Sequence, residues 1–149
     1  MDYDLLDRVA KRMSVRIEFA DTGIEHCHGI CEYWDSKVII DSSLPEEHRA
    51  HVLLHELAHV TGSKERLDRE TLTSYGSNTL YALVEEMIAE STAVAILKSF
   101  GLNPRMRLMD RLGAECDAQG IEWEHDIEPE VERIIDYLSK HFKEVYECQ

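Results

Sequence analysis

Two histidines four residues apart, with a glutamate directly after the first, stand in the middle of one apolar run: Leu53-Leu54-His55-Glu56-Leu57-Ala58-His59-Val60. An α-helix returns to the same face after about 3.6 residues, so His55 and His59 lie side by side, about 6 Å apart along the axis. Both imidazoles can then address a single metal ion. Zinc is the expected ion, one per chain. It takes neutral imidazole and carboxylate, leaves one position open for water, and lowers the pKa of that water to about 7. Glu56 stands beside the pair, where it can take the water's proton as the water attacks a carbonyl and then pass it to the leaving amine. The surrounding Leu53, Leu54, Leu57, Ala58 and Val60 support a helix, the context this spacing requires.

A catalytic zinc needs a third protein ligand, and two places compete for it. Glu65 lies six residues after His59, with Gly62 between. The other place is Glu85-Glu86-Met87-Ile88-Ala89-Glu90, where Glu86 and Glu90 share a helical face. One of these carboxylates can bind the metal while the other, a turn later, holds the far nitrogen of a ligand histidine. Ile88, Ala89, Ala93 and Val94 crowd the same stretch, which argues against a merely solvated acidic face. Glu86 is favoured as ligand and Glu90 as the support behind a histidine. His51 continues the histidine row one turn upstream; the extra turn carries it some 6 Å from a shared metal, which suits a supporting or surface role. His26-Cys27-His28-Gly29-Ile30-Cys31 gathers soft ligands that could hold a second metal, but no matching Cys/His pair occurs elsewhere. Tyr81, or Tyr75, could donate to a developing oxyanion, and Arg66 and Arg69 could meet a substrate carboxylate.

The rest of the chain frames this site. Its 149 residues suit a single domain, 1–149, large enough to bury a core. No segment has the apolar length of a membrane helix, and the acidic start Met1-Asp2-Tyr3-Asp4 does not read as an export signal. Four scattered cysteines then read as reduced thiols, which predicts a cytoplasmic protein. A net charge of −14 argues against nucleic acid as a partner, since that affinity comes largely from Lys and Arg replacing counterions.

Helical spacing of Leu5, Leu6, Val9 and Met13 predicts a first helix over 2–13. Alternation in 15–19 and the runs 30–34 and 37–40 predict strands, the last two joined by a hairpin at Asp35-Ser36. Ser43-Leu44-Pro45-Glu46 has the form of a capping box opening the His55 helix, and Gly62 that of its left-handed end. A long helix is predicted over 78–100, ending at Gly101, followed by a shorter one from Asn103-Pro104. A last helix opens at Glu128-Pro129, with Val131, Ile134, Ile135, Leu138, Phe142 and Val145 inward. The order is helix, small sheet, then helices: an α+β fold.

Three motifs in order carry a resemblance: His55-Glu-Leu-Ala-His-Val-Thr-Gly62, then Arg66-Leu67-Asp68-Arg69, then Glu85-Glu86-Met87-Ile88-Ala89-Glu90. Over about residues 30–101 the chain resembles the metallopeptidase domain of ArdC-type antirestriction proteins and of phage or plasmid polyvalent proteins. The resemblance implies a zincin-like fold of the gluzincin kind. A small mixed sheet would pack on the active-site helix and on a second, ligand-bearing helix, with further helices C-terminal. It also implies His55, His59 and Glu86 as zinc ligands, and gives Glu65 no counterpart. The single-stranded-DNA-binding domain that ArdC-type proteins carry is not expected within these 149 residues, and the Tyr81 match is offset by one residue.

The expected function is therefore a zinc metallopeptidase acting on a protein or peptide. Its substrate would lie along an exposed strand edge, with 37–40 as the candidate strand. The alternatives are an acidic, zinc-stabilised interaction protein that blocks a defence enzyme or mimics DNA, and a hydrolase of non-peptide amides. Glu56 discriminates against the first alternative, because a purely structural site has no need of a base.

Overall fold

A computed structural model of the chain describes residues 3–24, 27–66 and 78–147. Helix α1 (Tyr3–Arg12) leads into strands β1 (Arg16–Ala20), β2 (Gly29–Glu32) and β3 (Lys37–Asp41). Four helices follow: α2 (Glu46–Arg66), α3 (Asn78–Ser99), α4 (Arg107–Ala118) and α5 (Glu128–Glu147). The described residues thus form a mixed α+β architecture, with a small sheet beside a set of packed helices.

The sheet runs β1-β3-β2, with β1 parallel and β2 antiparallel to β3. This corrects one expectation. Strand 37–40 is central, paired on both sides, and offers no free edge. Its sequence explains the position: Val38 and Ile40 are fully buried, and Ile39 between them lies on the half-covered opposite face. Within this sheet the edge strands are β1 and β2. β2 and β3 form the expected hairpin, but residues 33–36 connect them. They make a 3-10 turn at Tyr33–Asp35 and then Ser36, which takes a positive φ of 47° to turn the chain back.

Two local signals around α2 also resolve differently. Ser43 does not cap it; its backbone N–H and its hydroxyl both donate to Asp41 Oδ1, closing a turn before the helix. The helix starts after Pro45, where a missing N–H costs nothing. It then passes through Gly62 without stopping and reaches Arg66. Gly62 is buried, and Thr61 beside it donates to the Leu57 carbonyl, so the turn is held within the packed interior.

At α3 the expected ending holds. Gly101 takes φ +76°, its N–H donates to Lys98 O, and Leu102 N–H donates to Leu97 O, the paired bonds of a left-handed C-cap. Helix α4 begins at Arg107, later than Asn103-Pro104 suggested. α5 begins at Glu128 as its sequence indicates, after a π turn at Trp123–Ile127. Val131, Ile134, Leu138, Phe142 and Val145 are buried, and Ile135 is half-buried against the core.

α2 and α3 form the centre. Leu53, Leu54, Leu57 and Ala58 of α2 pack with Val84, Ile88, Ala89 and Ala93 of α3, all at 1% exposure or less. α1 and α5 close one side of this core, α4 lies along α3, and β2 and β3 lie along α2. Placing polar side chains in such an interior is unfavourable unless they are paired, which makes the buried polar groups of α2 and α3 the informative ones. No helix among the described residues is long and apolar enough to cross a membrane.

Candidate metal centre

His55 and His59 project from α2 as helical spacing requires, with ring centroids 4.8 Å apart and Nε2 atoms 3.1 Å apart. Glu86 reaches both from α3. Its Oε1 lies 2.7 Å from His59 Nε2, and its Oε2 lies 3.2 Å from His55 Nε2. Two ring nitrogens and one carboxylate therefore converge on a single point. Among the described residues, this is the group of three His, Cys, Asp or Glu side chains close enough to hold a metal ion.

One turn further along α3, Glu90 is 2% exposed and accepts from His55 Nδ1 at 2.7 Å. Its other oxygen lies 2.5 Å from His51 Nε2. Glu90 therefore ties two histidines of α2 together. By occupying Nδ1 of His55, it leaves Nε2 of that ring to face the convergence point. His51 sits behind Glu90 and outside the three-residue group.

The electrostatics follow from this packing. Burial alone would lower the His55 pKa, but hydrogen bonds to Glu86 and Glu90 outweigh it and raise it to about 10. Burial would likewise raise both carboxylates. Their histidine partners instead hold Glu90 down at about 2, and Glu86 well below the carboxylate range. These contacts thus favour a protonated imidazole between ionised carboxylates. Glu56 behaves differently. It is buried, and burial raises its pKa although His59 and His55 pull it down. Among the described residues no hydrogen bond or ion pair engages its carboxylate.

A cleft of about 1200 Å³ opens over these groups. Gly29, Ile30 and Cys31 of β2 line it, together with His48 and Val52 of α2, the His–Glu cluster, and residues at the start of α4. Gly29 explains how β2 comes so near. A Cβ there would stand 2.8 Å from Val52 Cγ1 and 2.9 Å from Glu56 Oε1, closer than real Cβ atoms approach anything. Only a glycine lets the strand lie against the Glu56 turn of the helix. Cys31, next but one along β2, has its thiol pushed up to about 12, by burial first and then by Glu56. The shift favours the protonated thiol.

The other sequence candidates divide as follows. Cys27, His28 and Cys31 all line the cleft but are not brought together as a metal-holding group, and Cys27 donates to the Gly29 carbonyl. Tyr81 lies half-buried on α3 and does not line the cleft. His26, Arg69 and Tyr75, and the side chains of Glu65 and Arg66, lie outside the described residues. Sequence reasoning missed Gly29 and the arginines of the cleft. A glycine opening a strand is the only signal that could have pointed to the first.

Residues 42–112 match the family described as zincin-like metallopeptidase. The matched segment contains His55, His59, Glu86, Glu56 and Glu90, and extends into α4. Searches of curated proteins and of solved structures gave no match. The match suggests a zincin-like metallopeptidase domain, and His55, His59 and Glu86 within it are close enough to bind a metal.

Proposed function

We propose that the protein is a zinc-dependent peptidase, in which His55, His59 and Glu86 hold one zinc ion and Glu56 is the general base. The donor set suits zinc: two imidazole nitrogens and a carboxylate, with His55 oriented by Glu90 from behind. In a tetrahedral zinc site, ligand atoms lie about 3.3 Å apart; the two Nε2 atoms stand 3.1 Å apart, and Glu86 offers one oxygen to each. Bound there, zinc would act as a Lewis acid toward water and a substrate carbonyl.

The observation that carries the enzymatic reading is Glu56. Glu56 is a buried residue, 7% exposed, that lines the cleft with no partner among the described residues, and a structural metal site does not need it. Burial raises its proton affinity, the direction that favours a general base. Glu56 would accept a proton from the attacking water and deliver it to the departing amine. β2, the sheet edge that lines the cleft, would receive an extended peptide, in place of the central strand considered from sequence.

The test compares wild type with E56Q, both loaded with zinc, on a mixture of peptides analysed by mass spectrometry. Both should carry about one zinc per chain. Wild type should cleave, and E56Q should be slower by about a hundredfold or more. Equal cleavage by the two proteins would remove Glu56 from the mechanism. An inactive wild type carrying full zinc would favour an interaction protein stabilised by metal.

A further inference from the structure

Three arginines, Arg105, Arg107 and Arg111, line the same cleft as the His–Glu cluster. All three are exposed, and Arg107 and Arg111 are one helical turn apart on α4. None of the three has an ion-pair or hydrogen-bond partner among the described residues. That is unexpected in a chain with 30 acidic and 16 basic residues, where a carboxylate is easy to find. Several basic side chains elsewhere do find one: Lys11 pairs with Asp7, Arg12 with Glu144, Arg16 with Asp35 and Lys37 with Glu32. The acids of the cleft do not serve the arginines either. Glu86 and Glu90 are taken by histidines.

We propose that Arg105, Arg107 and Arg111 form an anion-recognising wall, and that the peptide taken into the cleft carries Asp or Glu side chains beside the bond to be cut. The proposal rests on the peptidase reading of the metal centre and names its substrate class. Guanidinium forks match carboxylates in two-point geometry. Three of them in one concave surface create a local positive field on a protein whose net charge is −14. The net negative charge would disfavour an acidic chain over most of the protein, so a basic wall in the cleft selects as well as attracts. The same net charge disfavours a phosphate backbone, whose many charges would extend beyond three arginines.

The experiment uses the full chain loaded with zinc. A fluorescein-labelled peptide rich in Asp and Glu is compared with its Asn/Gln counterpart, by fluorescence polarisation on E56Q and by cleavage on wild type. The acidic peptide should bind about tenfold more tightly, the scale of a few exposed ion pairs. The advantage should shrink as salt is raised and disappear when R105Q, R107Q and R111Q are added to E56Q, with circular dichroism and zinc content unchanged. Equal binding of the two peptides would overturn the proposal, as would a preference that survives the triple replacement. Tighter, arginine-dependent binding of a single-stranded oligonucleotide would overturn it in favour of nucleic acid. The two readings separate cleanly. Wild type cleaving both peptides equally leaves the peptidase and removes the wall. Arginine-dependent binding with no cleavage by wild type leaves the wall and removes the peptidase.

Discussion

His55 holds a carboxylate at each ring nitrogen, Glu86 at Nε2 and Glu90 at Nδ1, and both hydrogen bonds favour the protonated ring. Metal binding requires neutral imidazole. With the His55 pKa raised to about 10 in the metal-free protein, each zinc bound at neutral pH should displace a proton. The apparent affinity should rise about tenfold per pH unit between pH 6 and 8. Calorimetry in two buffers of unlike ionisation enthalpy checks this; identical heats would contradict it. The same shifts govern stability without metal. The depressed Glu90 contributes above the ordinary carboxylate pKa, and its contribution is lost as pH falls toward about 2. The raised His55 contributes below the ordinary imidazole pKa, and its contribution is lost as pH rises through about 10. The site should therefore stabilise the metal-free fold most between about pH 4.5 and 6.5, as thermal melts across pH would show. His51 acts further back, on the second oxygen of Glu90. H51A should weaken zinc binding by about 10- to 100-fold while the fold is retained, the usual effect of removing support behind a ligand.

At the scale of elements, the site is one contact: the His55 turn of α2 against the Glu86–Glu90 turn of α3, with β2 laid over it. The strand's approach depends on Gly29. G29A would drive a Cβ into Val52 and Glu56 and should cost about 1–3 kcal/mol, the range for overpacking a tight contact. Activity should fall more than stability does, because the displaced group is Glu56 itself; chemical denaturation and peptide cleavage on the same samples would compare the two. These elements also show what the sequence could and could not disclose. His55, Glu56 and His59 were legible because they lie within two helical turns, and Glu86 and Glu90 because their spacing and apolar neighbours mark a buried helical face. The rank of β3 in the sheet was not legible. Strand order depends on pairings between distant residues, and Val38 and Ile40 would alternate in the same way on an edge strand. Ser43 and Gly62 misled for a related reason: local capping preferences gave way to the Asp41 turn and to the packing around Thr61. The arginines of the cleft were invisible because 105–111 comes to line it together with residues of α2 and β2 only in the folded chain.

For the whole molecule, the cluster gathers several charged groups into an interior made mostly of aliphatic side chains. A ligand that binds only the folded state stabilises it by mass action, by about 2.7 kcal/mol at a hundredfold excess over Kd. Zinc should therefore raise Tm by several degrees, and a chelator should return it to the metal-free value. A protein carrying both Glu86→Gln and His59→Ala should show no zinc-dependent change. The most direct test of the central claim is a crystal structure of the zinc-loaded protein with anomalous data collected at the zinc edge. A single strong peak is expected, about 2.0–2.2 Å from His55 Nε2, His59 Nε2 and a Glu86 oxygen, with Glu90 still on His55 Nδ1. Zinc bound elsewhere, or a peak that omits Glu86, would contradict it.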